Sequence, residues 1–219
     1  MIDLSNHNQI SVKTCTSFYS RHGKRAFDLA FALALLPFLL PVIVLLAIAT
    51  RLDGGPAIFG HQRVGLGGHE FNCLKIRTMR VGAEEYLQKY LAENPDAAEE
   101  WQQNYKLRDD PRITKIGKFL RKTSLDELPQ IFNVIRGDMS FVGPRPVTET
   151  ELEVYGPARV AYAEGRPGIT GKWQVSGRNE ISYEERILLD VTYRETETLL
   201  GDLKIIAKTP LKVIRPTGF

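Results

Sequence analysis

The chain has 219 residues, 43% of them hydrophobic, with 29 Lys and Arg against 26 Asp and Glu for a formal net charge of +3. That length sustains one ordinary core, so a single catalytic domain plus an anchor is the default organisation. The slight basic excess comes with no arginine-rich tail or RNA-binding signature, which argues against a nucleic-acid partner, and two cysteines (Cys15, Cys73) with four histidines give neither a disulfide framework nor zinc-ligand spacing.

Residues 1–22 are expected to be a mobile lead-in, polar and without pattern over 1–20. Residues 29–50 then contain no charged side chain, and Thr50 is the only polar one. At about 1.5 Å per residue this run reaches about 33 Å, enough to cross a bilayer core, and it lies too far from the start for a signal-peptide core. Pro37 and Pro41 interrupt it four residues apart on one helical face, which predicts a strong kink or break. Arg21, Lys24 and Arg25 precede the run and Arg51 and Arg63 follow it, so charge does not choose an orientation. A re-entrant helix over 23–51, entering and leaving on one side, and a kinked spanning helix both remain open on physical grounds.

Residues 52–219 are expected to form the catalytic domain. Asp53-Gly-Gly-Pro56 reads as a turn, and residues 57–59 and 70–77 as short strands around the loop at 65–68. Residues 83–106 are acidic and helix-forming, interrupted at Asn94-Pro95, and read as a solvated helical hairpin with no chemistry. Residues 114–122 set Ile116, Phe119 and Leu120 among Lys115, Lys118, Arg121 and Lys122, and 201–214 repeat that pattern. Each suits an anionic lipid surface or, equally, a core-packed helix with a solvated basic face. The fold class is α+β, mainly helical with short strands.

Ser124-Leu-Asp-Glu-Leu-Pro-Gln130 carries two adjacent acids, Asp126 and Glu127. In isolation Ser124-x-x-Glu127 is first of all a capping box, and Asp126 as N-cap is the other register. Either places both carboxylates at a helix N-terminus, where an aspartate stays ionised and a phosphate is held nearby. An ionised aspartate can attack phosphorus, and a neighbouring glutamate can hold magnesium, provided cations relieve the repulsion. Lys75, Arg121, Arg145, Arg166 and Arg178 are candidates, Arg145 and Arg166 each lying in a Gly/Pro turn suited to presenting one guanidinium to phosphate. The sequence has no Asp-x-Asp, no phosphate loop and no dinucleotide fingerprint, which removes the usual metal-dependent glycosyltransferase, kinase and dehydrogenase readings.

From Lys24 onward the chain resembles the bacterial sugar transferases, the monotopic phosphoglycosyl transferases, and in particular their short exopolysaccharide-type members. Lys24-Arg-Ala-Phe-Asp28, Gln62-Arg-Val-Gly65, Lys75-Ile-Arg-Thr-Met79 and Asp110-Pro-Arg-Ile-Thr114 occur in order. The segment Leu120-Arg-Lys-Thr-Ser-Leu-Asp-Glu-Leu-Pro-Gln130 follows, then 133–146 and Arg166-Pro-Gly-Ile-Thr-Gly171 through Gln174-Val-Ser-Gly-Arg178. The resemblance implies that Asp126 attacks the β-phosphorus of a UDP-hexose, galactose before glucose, and expels UMP. Undecaprenyl phosphate then accepts the sugar phosphate. It implies that Glu127 binds Mg²⁺, that Lys75, Arg121 and Asp190 belong to the catalytic site, and that Arg145, Arg166, Arg178 and Gln174 contact substrate. It further implies a re-entrant helix broken at Pro41 with Pro37 adding bend, although Leu40 stands where many members have serine. A monotopic place among lipids on the cytoplasmic face of the inner membrane follows, with later glycosyltransferases as partners and room for a homodimer. Two rivals make different predictions: a catalytically silent adaptor tolerates loss of Asp126, and a phosphatase releases free sugar phosphate.

Overall fold

The computed structural model of the protein describes residues 17–52, 54–177 and 181–214. Most of the expected lead-in, with Cys15, Asp53 and Arg178, lies outside the described residues. The end of that lead-in is helical: Tyr19–Gly23 form a π-helical turn that runs directly into α1 (Lys24–Arg51).

Helix α1 continues unbroken through Pro37 and Pro41, so neither proline ends it. Both sit on the exposed side. Opposite them, Asp28, Ala32, Leu36, Leu39, Ile43, Leu46 and Thr50 recur at steps of three and four and face the protein body. That packing holds the helix together where each proline removes a donor. Its outer face is apolar too, with Phe38 75% and Leu45 67% exposed. Both ends of α1 grip the same body. At the start, Lys24 pairs with Asp202 at 2.6 Å, and Arg25 donates to the Val134 and Ile135 carbonyls. Asp28 accepts from Ser140 Oγ and the Phe141 amide, each at 3.0 Å. At the far end the Arg77 guanidinium donates to the carbonyls of Thr50 (3.2 Å), Pro56 (2.7 Å) and Gly54.

After a turn containing Gly54 and Gly55, both at positive φ, the chain makes an antiparallel hairpin of β1 (Ile58–Val64) and β2 (Glu70–Ile76), with Phe59 opposite Lys75 and His61 opposite Cys73. Strand β1 is longer than expected, because the polar run Gly60-His-Gln-Arg63 continues the pairing. Helices α2 (Ala83–Glu93) and α3 (Pro95–Asn104) form the acidic hairpin, with Pro95 in the first turn of α3. Helix α4 (Lys115–Thr123) starts on Thr114, whose hydroxyl accepts from the Gly117 amide at 3.0 Å. It buries Leu120 while Phe119 points outward among lysines. A Cβ at Gly117 would run into the Thr78 carbonyl, so glycine is what lets α4 lie against the exit of β2.

Helix α5 (Gln130–Arg136) follows, and its fully buried Asn133 imitates a strand neighbour for β2. The side chain accepts from the Leu74 amide at 2.9 Å and donates to the Asn72 carbonyl at 2.8 Å. Asn133→Leu removes both partners and is expected to lower stability by about 2–4 kcal/mol, read from urea unfolding in detergent.

The two Gly/Pro segments read as turns each contain a three-residue strand. Strands β3 (Ser140–Val142) and β4 (Gly168–Thr170) pair in parallel, Ser140 opposite Gly168 and Val142 opposite Thr170. A side chain at Gly168 would strike the Gly143 backbone, which explains the glycines. Between and after them come α6 (Glu149–Glu153), α7 (Arg159–Ala163), α8 (Lys172–Ser176), α9 (Tyr183–Glu195) and α10 (Leu199–Ile214). The main core joins the inner face of α1 to β2, α4, α5, β3, Tyr193 and Ile205. A second, aromatic cluster around Tyr155 and Tyr162 supports α9.

Candidate active site

Helix α4 ends at Ser124, which takes a left-handed conformation (φ 56°), and the chain turns through a single 3₁₀ turn, Leu125–Glu127. Leu125 and Leu128 pack on the core, which sends the two intervening acids toward a cavity of about 650 Å³. Neither capping register is realised: Ser124 makes no side-chain cap and α5 begins only at Gln130. Glu127 instead reaches Lys75 on β2, with Nζ 2.7 Å from Oε1. An ion pair to a residue 52 positions away takes the carboxylate that a local cap would have used.

Asp126 is 7% exposed. Burial, reinforced by the charge of Glu127, pushes its carboxyl up to about 6, against the lowering influence of Lys75 and Arg121. Burial works to lower the Lys75 ammonium, but the Glu127 carboxylate outweighs it and the net shift is upward. Arg121 is held by its Nε donating to Thr78 Oγ1 at 2.9 Å. Lys75, Arg121, Asp126 and Glu127 therefore converge on one cavity.

The same cavity is walled by residues that sequence reasoning passed over: Phe59 and His61 from β1, Arg77 and Thr78 after β2, Glu84 from α2, and Arg112. The acidic hairpin is thus part of the wall, with Glu84 4.0 Å from Arg112. Asp110 clamps Arg112 through Nε at 2.9 Å and Nη2 at 2.7 Å, and the guanidinium lies 5.0 Å from the Trp101 ring centre. The readable signals were Lys75-x-Arg77, two cations on one strand face, and the Asp110-x-Arg112 spacing.

The other expected residues are distributed elsewhere. Asp190 is 3% exposed under the β3–α6 segment, where Tyr155 Oη donates to it at 3.0 Å. Burial raises it to about 7, opposed by that hydroxyl and by the backbone and charge of Arg145. Arg145 lies 5.7 Å from the Trp173 ring centre, and its charge reaches His61 and Cys73, which also feel Lys75. It therefore faces the β1–β2 hairpin from the side of α8 and α9. Gln174 is on α8 with its Oε1 buried. Arg166 goes the opposite way: its Nε donates to the Gly137 carbonyl at 2.7 Å, in a separate small cleft shared with Arg25 and Asp28. The two similar arginine turns pack back to back and send their side chains apart.

Among the described residues no group of three His, Cys, Asp or Glu is placed to enclose a metal. Glu127 and Asp126 can still offer one or two carboxylates to a magnesium ion that takes its other ligands from water and substrate phosphates, and Glu127 retains access to the cavity, its side chain 36% exposed.

Two adjacent carboxylates in one cavity with several cations, in a chain that also carries a long apolar helix, suit a phosphate-handling protein. The comparisons identify it: the chain belongs to the bacterial sugar transferase family, whose model matches residues 19–216. It is 50% identical over 199 residues to the UDP-galactose-lipid carrier transferase of Erwinia amylovora, covering 91% of this chain and 42% of that protein. It is 48% identical over 199 residues to the undecaprenyl-phosphate galactose phosphotransferase of Salmonella typhimurium, with the same 91% and 42% coverage. The exopolysaccharide production protein ExoY of Rhizobium meliloti is 50% identical over 188 residues, covering 85% of this chain and 83% of that protein. The chain thus spans less than half the length of the first two relatives.

Proposed function

We propose that this protein transfers hexose 1-phosphate from a UDP-hexose, galactose in preference to glucose, to undecaprenyl phosphate at the start of exopolysaccharide assembly. The observation that carries this reading is the Asp126–Glu127 pair in one cavity with Lys75, Arg77, Arg112 and Arg121, in a chain of the sugar transferase family. Two relatives are named for galactose transfer or its lipid carrier, and ExoY for exopolysaccharide production.

In the first half-reaction an Asp126 oxygen attacks the β-phosphorus. The bond from that phosphorus to the bridging oxygen breaks, UMP leaves with the electron pair, and an acyl phosphate carries the sugar. In the second, an oxygen of the lipid phosphate attacks the same phosphorus and Asp126 returns as carboxylate. Lys75 and Arg121 offset the negative charge gathering at the phosphoryl oxygens. Glu127 would hold Mg²⁺, which supplies further charge neutralisation when bound.

The attachment of both ends of α1 to one body supports a re-entrant rather than a spanning helix, since a spanning helix parts its ends across the bilayer. The exposed apolar side of α1, Phe119 among lysines on α4, and Leu200, Leu203 and Leu211 beside Lys204 and Lys208 on α10 support a monotopic seat on the cytoplasmic side of the inner membrane.

Intact mass after incubation with Mg²⁺ and single UDP-sugars, without lipid phosphate, tests the two-step route. One added hexose phosphate, absent in Asp126→Asn, is the expected result. UMP release that begins only when lipid phosphate is present, with no adduct from any donor, would remove Asp126 as nucleophile.

A further inference from the structure

The part of the Asp126 cavity wall that β1 supplies is aromatic, and the two-step chemistry makes no use of it. Phe59 and His61 lie two residues apart on one face of the strand, with ring centres 6.1 Å apart, and both line the cavity. Phe59 stands directly opposite Lys75 on β2. It belongs to neither apolar cluster and is 54% exposed, in a cavity otherwise rich in cations. An aromatic face left open beside Lys75, rather than folded into the core, is a platform for a flat ring.

His61 adds one polar group of fixed character. Arg63 Nη2 lies 3.1 Å from His61 Nδ1, and Arg63 is itself anchored by Nη1 donating to Glu151 at 2.7 Å. A guanidinium can only donate, so Nδ1 accepts and the ring proton sits on Nε2. Burial, then the charges of Arg63 and Lys75, lower the pKa of the ring and keep it neutral at pH 7. This wall therefore offers an open ring face with one N–H donor beside it. A polyprenyl chain has no flat face and nothing to accept from an N–H. A hexose can stack, but it asks for several polar partners around its rim. A uracil is flat, and its O4 accepts a hydrogen bond at one edge. In a UDP-sugar the base is also set apart from the reacting phosphorus by the ribose and the α-phosphate, as Phe59 is set apart from Glu127 by Lys75.

We propose that Phe59 and His61 seat the uracil of the donor, Phe59 stacking on the ring and His61 donating from Nε2 to O4. This rests on the transferase reading and adds to it the residues that read the base. Cytosine carries an amino group where uracil has O4, so a fixed donor at that edge favours uridine over cytidine nucleotides.

Binding of UMP, CMP and UDP-galactose is measured in the Asp126→Asn protein, so that recognition is separated from turnover. Thermal melting confirms that each added variant is folded. Phe59→Leu, which keeps apolar bulk without a flat face, is expected to weaken UMP and UDP-galactose alike by about 5- to 50-fold, and Phe59→Trp to restore both. The preference for UMP over CMP should fall to within about twofold in His61→Phe and survive in His61→Gln, which keeps an N–H donor. Unchanged UMP affinity in Phe59→Leu, or an unchanged preference in His61→Phe, would overturn the proposal. Weakening of UDP-galactose without UMP would overturn it by assigning the wall to the hexose. A loss confined to the KM for undecaprenyl phosphate, in variants that retain Asp126, would overturn it by assigning the wall to the acceptor. Base-selective binding lost on substitution, in a protein whose wild type forms no covalent adduct, would sustain the uracil seat while defeating the transferase reading.

Discussion

Replacing Asp126 by Asn is expected to lower turnover by roughly four orders of magnitude or more, while making the fold more stable at neutral pH. The two effects have one cause. The native environment raises the Asp126 carboxyl from 3.8 to about 6, chiefly by burial and then by the charge of Glu127. Between those values the native state binds a proton that the unfolded chain has released. The group's contribution is therefore complete below about pH 4 and is lost as pH rises through about 6. A two-unit shift corresponds to about 3 kcal/mol, the approximate cost of keeping this buried carboxylate charged at pH 7. Asparagine has nearly the same shape and no charge, so part of that cost should return as about 1–3 kcal/mol, or several degrees in melting temperature. Melts at pH 4 and pH 7.5 check the sign, since the difference between wild type and variant should nearly vanish at the lower pH. Adduct formation by the wild type should fall about tenfold per pH unit below an apparent value near 6, because the protonated acid is a poor nucleophile. A variant that is inactive and also less stable at pH 7.5 would point to Asp126 as a structural anchor.

Much of this site was legible because its chemistry lies in short segments. Asp126-Glu127 and the cations Lys75 and Arg121 are read directly, and the hairpin and α4 bring them together. Their local geometry was harder. Ser124-x-x-Glu127 has the signature of a capping box, yet the same signature at Thr148–Glu151 and Ser182–Glu185 is where capping boxes form. Spacing alone does not separate them; what decides is Lys75, a residue 52 positions away in the chain that takes the Glu127 carboxylate.

Helix α1 posed the converse difficulty. Its buried stripe is hard to see in sequence because the other faces are also apolar, so periodicity has no contrast to act on. The buried polar residues Lys24 and Asp28 at one end and Thr50 at the other mark it. Strands β3 and β4 are three residues each, below the length at which alternation is informative. Their pairing depends on close backbone approach over nearly thirty positions. For that reason the opposite directions of Arg145 and Arg166 appear only in three dimensions.

Lys24→Met is expected to be the most damaging substitution at the base of α1, lowering stability by about 3–5 kcal/mol. Asp202 is fully buried on α10 and its carboxylate takes three partners. Lys24 Nζ lies 2.6 Å and Tyr19 Oη 2.7 Å from Oδ2, and Tyr193 Oη donates to Oδ1 at 2.8 Å. The two tyrosines remain in the variant, but neither carries a positive charge, so the buried Asp202 carboxylate, with Asp28 and Glu197 nearby, is left without the cation that balances it. Asp202→Asn added to Lys24→Met removes that charge and should recover a large part of the loss. The double substitution is therefore expected to be less harmful than Lys24→Met alone, a sign opposite to simple additivity. Unfolding midpoints of the two single variants and the double variant in one detergent measure the coupling. Additive losses would mean that Lys24 acts through its contacts with Tyr193 and Tyr19 rather than by balancing Asp202. Because Lys24 opens the apolar helix and Asp202 lies on α10, the same cycle reports how firmly α1 is held to the catalytic body from which Lys75 and Asp126 face the cavity.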